Sequence, residues 1–365
     1  MALSADNQAA SFVHGGNVYA WAREHGREAA VVLDYSANIN PLGLAPAVQA
    51  AISQAVGEVI HYPDAGAVLL KAAISSYYQV EAEWITAGNG AVELLYVLTH
   101  TLRPQRVLIP APSFSEYERA ARAAGAVVEY AYLSPASNFV LDVNWLSRRL
   151  TGMDMVFIGN PNNPTGTLLT IGQMEQILFA AARTGTIVVV DESFMDFIPG
   201  DREYTCRPLL KQFDNLVVLH SLTKFYAIPG LRLGFALTQP ALASRLHAAK
   251  DPWNVNSLAQ AAGVAALTDK EYQGRSRDIV QYEKDALYAG LQAIPGAAPL
   301  PPAVNYILIR IEQTAARVCQ VMAEKNILIR DCSNYPGLSP YYIRVAVKLS
   351  EQNKKLLTYL EQVLR

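Results

Sequence analysis

A lysine and an arginine eight residues apart stand in SLTKFYAIPGLRLG (221–234), directly after the apolar run LVVLH (216–220). Lysine is a weak nucleophile while protonated, but an amine held in a pocket forms an imine with an aldehyde. A phosphorylated aldehyde would also need a cradle for its phosphate. GNGA (88–91) opens a helical stretch, so the N–H groups around Gly90 and Ala91 and the helix dipole suit an anion. Ser221 and Arg232 bracket Lys224 and would complete that cradle, the arginine through charge-assisted hydrogen bonds. Asp191 ends the run TIVVVD, Phe114 stands in PAPSFSEY, and Asn163 stands in NPNNPTG. Together these supply what pyridoxal phosphate (PLP) requires: a carboxylate for its ring nitrogen, a flat side chain against its ring, and a hydrogen bond for its ring oxygen. Taken singly, each has an ordinary alternative, since NPNNPTG is a turn former and Asp191 could cap a helix. Their order along the chain and their common location at strand ends favour a single site.

That location follows from the elements that must carry these residues. Between about 84 and 238, short β-rich runs alternate with helical stretches: WITAG, RVLIPAP, VVEYAYL, MDMVFIGNP, TIVVVDE, LVVLHS and RLGFALT. Several are continuously apolar, as expected of a mostly parallel sheet covered by helices on both faces. AVELLYVLTHTL (91–102) and IGQMEQILFAAARTG (171–185) have helical period and plausible ends. The polar residues Gly88–Gly90, Asn162 and Asn163, Asp191 and Lys224 each follow a run, and ligands in open α/β sheets sit beyond the carboxyl ends of the strands. After Pro252 a long helical region leads to NYILIRI, ILIRD and YYIRVAV, which read as strands of a smaller α+β unit closed by a helix. The expected fold class is α/β, with an N-terminal arm (1–45), a large cofactor-binding domain (46–252) and a small C-terminal domain (253–365).

With 365 residues the chain exceeds the size of one growing core. A formal net charge of −2 gives no electrostatic reason to expect nucleic acid or an anionic membrane as partner. No run approaches the length of a membrane span, and the polar start MALSADNQAASF is unlike a signal peptide. Three scattered cysteines and no histidine pair at ligand spacing argue for a reducing cytoplasm and against a metal.

These motifs resemble fold-type I PLP enzymes of the aspartate aminotransferase superfamily, in the branch that contains histidinol-phosphate aminotransferases. The resemblance implies that Lys224 carries the cofactor, with Ser221, Thr223 and Arg232 as its neighbours. HYPD (61–64) is similar to the segment whose tyrosine, here Tyr62, reaches the cofactor phosphate of the other subunit, which implies a homodimer with shared active sites.

HGGN (14–17), DYSANINPLG (34–43), DESFMDFIPG (191–200), NYPGL (334–338) and YYIRVAV (341–347) resemble more closely the cobalamin-pathway threonine-phosphate decarboxylases. That resemblance implies an amino acid phosphate as substrate and an aminoalkyl phosphate, for the corrinoid lower side arm, as product. His14, Gly15, Asn38 and Asn163 would contact substrate, with Arg330 and Arg344 supplying positive charge. In the aminotransferases the residue three after the ring-nitrogen aspartate is usually tyrosine; here it is Phe194, as in the decarboxylases. An aminotransferase of the histidinol-phosphate type is the competing expectation. A regulator's effector module is disfavoured because Lys224 is present and too few residues precede SANINP for a winged-helix domain.

Overall fold

The computed structural model describes residues 14–365; residues 1–13, the polar start of the expected arm, lie outside the described residues. The strands in chain order are β1 (Leu33–Asp34), β2 (Ile85–Gly88), β3 (Arg106–Ala111), β4 (Val127–Tyr132), β5 (Met155–Gly159), β6 (Ile187–Asp191), β7 (Leu216–Ser221), β8 (Gly234–Leu237), β9 (Ala297–Pro299), β10 (Tyr306–Ile311), β11 (Ile327–Leu328), β12 (Arg330–Asp331) and β13 (Tyr342–Ala346). Strands β2 to β8 form one seven-stranded sheet in the order β2-β8-β7-β6-β5-β3-β4. Only β8 runs against its neighbours; β3–β4, β3–β5, β5–β6 and β6–β7 pair in parallel.

The unbroken apolar strands have a simple cause. Val188, Val190, Leu216 and Val218 pack into one core, while Val189, Val217 and Leu219 between them pack into another on the opposite face. Both faces are therefore dry, and each fully buried valine contributes roughly 1.5–3 kcal/mol. The helix Ile171–Thr184 covers one of those faces through Met174, Ile177 and Leu178, opened by a Thr170–Gln173 capping box and closed by Gly185 in the left-handed region.

The second sheet, β12-β13-β10-β9, is antiparallel. Its core joins Ile307, Ile309, Ile343 and Val345 to Leu287, Val318 and Leu356 from three helices, and it includes Tyr35 from the N-terminal side of the chain. The run ILIRD splits: Ile327–Leu328 pairs in parallel with β1, whereas Arg330–Asp331 pairs with β13. Neither β1 nor β9 was expected from the sequence, because two or three residues carry no measurable periodicity. Among the described residues, no helix is long and apolar enough to cross a membrane.

Candidate active site

The carboxyl ends of β6 and β7 and the turn before β8 form the floor of one cavity of about 410 Å³. Asp191, the last residue of β6, accepts a hydrogen bond from the Tyr117 hydroxyl (2.8 Å) on Oδ2 and one from the Ser193 N–H (2.9 Å) on Oδ1. Tyr117 is buried and stacked on Phe157 (5.3 Å between centroids). Burial, reinforced by the Asp191 carboxylate, pushes its phenol well above the usual range, so it stays a donor and aims the aspartate.

Strand β7 ends at Ser221, whose hydroxyl pairs with that of Thr223 (2.7 Å) and caps the one-turn helix Leu222–Phe225. That turn carries Lys224 into the cavity. Burial, then the nearby charges of Arg232 and Arg344, bring the Lys224 amine down to about 8, against the opposing pull of Asp191. Arg232 lies in the left-handed region (φ 58°), an uncommon conformation for a residue with a side chain. It places the guanidinium where a Cβ on Gly90 would come within 2.5 Å of it, and a Cβ on Gly234 would come within 2.5 Å of the Ala91 nitrogen. Glycine at both positions lets arginine, turn and helix start converge.

The opposite wall comes from distant stretches of chain. Arg344 of β13 donates to the Ser36 carbonyl (2.8 Å) and to the Asn163 side-chain oxygen, and lies over the Tyr306 ring. Its cross-strand register partner is Arg330, which donates to Asn334 (2.9 Å) and lies over Tyr335. Both arginines are buried, and both line the cavity. His14 bonds Glu116 (2.7 Å), which also holds Arg119 (2.9 Å). Burial alone would raise the Glu116 carboxyl, but these two partners outweigh it and hold it below the usual range. Gly15 fits because a Cβ there would meet the Ser36 carbonyl at 2.1 Å.

Of the expected site residues, His14, Gly15, Asn38, Ala91, Phe114, Asn163, Asp191, Ser221, Thr223, Lys224, Arg232, Arg330 and Arg344 all line this one cavity. Gly90 lies behind Arg232, and Tyr62, 77% exposed, stands outside the cavity, stacked on Trp253 (4.4 Å). Asn162 is turned away instead, donating to the Pro112 carbonyl (3.0 Å) and Thr165 (2.8 Å) to brace the loop. Sequence reasoning missed Glu116, Tyr117 and Arg119 although they adjoin Phe114, because SEYER reads as an ordinary helix start with surface charges.

These residues fit an anionic cofactor and an anionic ligand. Asn38 Oδ1 and Arg344 Nε are buried without a hydrogen-bond partner among the described residues. Such orphaned groups are rare in a protein interior and mark places prepared for a ligand or water. Four arginines share the cavity with Lys224, against the carboxylates of Asp191 and Glu116.

The sequence matches the family model described as aminotransferase class I and II over residues 30–360. It is 37% identical over 352 residues to the threonine-phosphate decarboxylase of Salmonella typhimurium, covering 96% of each chain. The fold superposes on the L-threonine-O-3-phosphate decarboxylase from Porphyromonas gingivalis with a TM-score of 0.81 and 28% identity, covering 91% of this chain and 99% of that one. For the histidinol-phosphate aminotransferase from Clostridium acetobutylicum the TM-score is 0.86 and the identity 31%, with the same coverage.

Proposed function

The chain belongs to the class I and II aminotransferases, and on that footing we propose that it is a PLP-dependent carboxy-lyase that decarboxylates O-phospho-L-threonine to an aminoalkyl phosphate for the corrinoid lower side arm. The observation that carries the substrate reading is the buried pair Arg330 and Arg344, side by side in the cavity and, for Arg344, within electrostatic reach of Lys224. An amino acid phosphate brings a carboxylate and a phosphate, and the arginine fork suits both. The relationship to a decarboxylase over 96% of both chains points to the same reaction.

Pyridoxal phosphate, when bound, supplies an aldehyde for amines and a conjugated ring that accepts the electron pair left behind as carbon dioxide departs. Ser221, Thr223, Arg232 and the amino end of the helix Ala91–Leu102 would hold its phosphate, Phe114 its ring face and Asn163 its ring oxygen. Asp191, aimed by Tyr117 and Ser193, would hold a proton on its ring nitrogen. Lys224 offers an amine whose pKa of about 8 leaves a useful neutral fraction near physiological pH. The same amine, in its protonated form, is the donor that returns a proton to Cα after carbon dioxide leaves. Arg330 and Arg344 would orient the substrate so that the Cα–carboxylate bond is the one that breaks, with His14, Gly15 and Asn38 completing its binding. Phe194, buried and edge-on to Tyr306 (5.0 Å), brings no hydroxyl to the cofactor.

The same reading includes a cytoplasmic homodimer with shared active sites, divided into the arm (1–45), the large domain (46–252) and the small domain (253–365). Tyr62 is exposed and stacked on Trp253, and Ile60 (80% exposed) and Leu69 (75%) are exposed apolar residues of the same stretch of chain; apolar surface of this kind is what a second copy would cover. The pairing of β1 with β11 and the separate core of the second sheet support an arm and a small domain, although Val255, Ala259, Ala262 and Leu267 pack into the core of the large sheet.

The test is an assay of the PLP-loaded protein with O-phosphothreonine and O-phosphoserine in parallel, with and without 2-oxoglutarate. Carbon dioxide release independent of the oxo acid is expected. The two substrates differ by one methyl group, worth about 1–3 kcal/mol in a hydrophobic pocket, so the ratio of rates names the preferred one. Glutamate formation without carbon dioxide would replace this reading with a histidinol-phosphate-type aminotransferase.

A further inference from the structure

Behind the phosphate-binding turn, a line of polar side chains runs from the helix Ala91–Leu102 to a buried lysine. Glu93, in the first turn of that helix, accepts hydrogen bonds from the Asn89 N–H (2.6 Å) and from the Asn254 side-chain amide (2.7 Å). Asn254 donates also to the Ala87 carbonyl (3.3 Å), and its oxygen accepts from the Lys250 ammonium (2.6 Å). Lys250 is only 8% exposed, an unusual place for a lysine. Burial lowers its pKa, the Glu93 carboxylate pulls it back up, and Lys71 adds to the lowering. Lys71, His247 and Asp64 line the small cavity at this lysine.

The turn itself has little to hold it. The Gly90 N–H is taken by the Gly88 carbonyl (2.8 Å), and Gly90 has no side chain with which to cap the helix. Glu93 supplies the missing anchor by reaching back to Asn89. A carboxylate there has a second effect, because it spends the positive end of the helix dipole that an arriving phosphate also uses. A cation joined to it through Asn254 removes that conflict.

We propose that Glu93, Asn254 and Lys250 form a charge-balanced brace that positions the phosphate-binding turn Gly88–Ala91, with Glu93 as the positioning residue and Lys250 cancelling its charge. The proposal rests on the PLP reading of the cavity, but not on the choice of substrate.

The test measures the dissociation constant of PLP for the cofactor-free protein by the absorbance of the lysine-bound cofactor, at low ionic strength. Lys250→Met leaves Glu93 uncompensated beside the phosphate and is expected to weaken PLP binding about five- to tenfold. Glu93→Gln keeps an acceptor for Asn89 and is expected to stay within about twofold of the parent. The double variant Glu93→Gln/Lys250→Met is expected to recover most of the loss, which a purely structural role for the lysine would not produce. Should Lys250→Met not fold, Asn254→Leu cuts both arms of the brace and is expected to weaken PLP at least as much. The brace is overturned by parent-like affinity in Lys250→Met or in Asn254→Leu, or by a double variant as weak as Lys250→Met. A parent protein that shows no lysine-bound cofactor absorbance would instead overturn the PLP reading itself.

Discussion

Asp191, Ser221 and Lys224 stand at the ends of two adjacent strands of one sheet, whereas His14, Glu116 and the paired strands that carry Arg330 and Arg344 reach the same cavity from three distant stretches of chain. The floor is built on neighbouring strands of one sheet, and its Asp191 and Ser221 are held by protein partners: Tyr117 and Ser193 on Asp191, Thr223 on Ser221. The wall needs both sheets in place and leaves buried polar atoms open, Asn38 Oδ1 and Arg344 Nε among them. A preorganised floor suits a resident cofactor, and an unsaturated wall suits a substrate that comes and goes.

The contrast can be broken most severely at Lys224. Lys224→Ala is expected to remove the absorbance of the lysine-bound cofactor and to lower turnover by about a thousandfold or more. Normal decarboxylation by that variant would dissolve the assignment of the floor. At the wall, Arg344→Ala is expected to reduce kcat/KM by about a hundredfold while leaving PLP affinity within a few-fold, because charge-assisted bonds of substrate, not cofactor, are lost. Equal losses in both quantities would show that wall and floor are one unit. Phe194→Tyr probes their seam; it should shift the visible absorbance maximum and change kcat a few-fold, since one hydroxyl is added near the ring at a tightly packed position. Appearance of glutamate from 2-oxoglutarate in that variant would make Phe194 a determinant of reaction type.

The smallest effect is a titration. Lys224 releases its proton near 8 when folded and near 10.5 when unconstrained, so the unfolded chain binds more protons between those values. Stability of the cofactor-free protein should therefore rise with pH through that window and flatten above it, as read by urea denaturation at a series of pH values. Arg344→Met removes one of the charges that lower the amine, and should move the onset upward. An unchanged onset would mean that burial and Arg232 set the lysine and that the wall does not reach it.

The same contrast explains what could be read in the sequence. The helix expected over residues 91–102 ends where the structure ends it, and the seven runs of the large sheet are all strands, because each carries its apolar pattern within itself. Lys224, Asp191 and Gly90 were legible for a related reason: each stands at or just beyond the end of a strand, at the edge where ligands gather. Glu116 was not, because its meaning depends on His14, far away in sequence. The pairing of Arg330 with Arg344 needed the antiparallel register of β12 and β13, and ILIRD gives no sign that it divides between two sheets. Asn162 and Asn163 look alike in NPNNPTG, and only packing decides that one braces the loop while the other faces the cavity.

The register that sets Arg330 opposite Arg344 has one more consequence. Two buried like charges on adjacent strands oppose the folding of the sheet that carries them. An anion placed between them relieves that opposition and, by mass action, shifts the folding equilibrium toward the native chain. The temperature at which the protein melts thus becomes a gauge of how much phosphorylated ligand surrounds it, and its lifetime against proteolysis follows ligand supply.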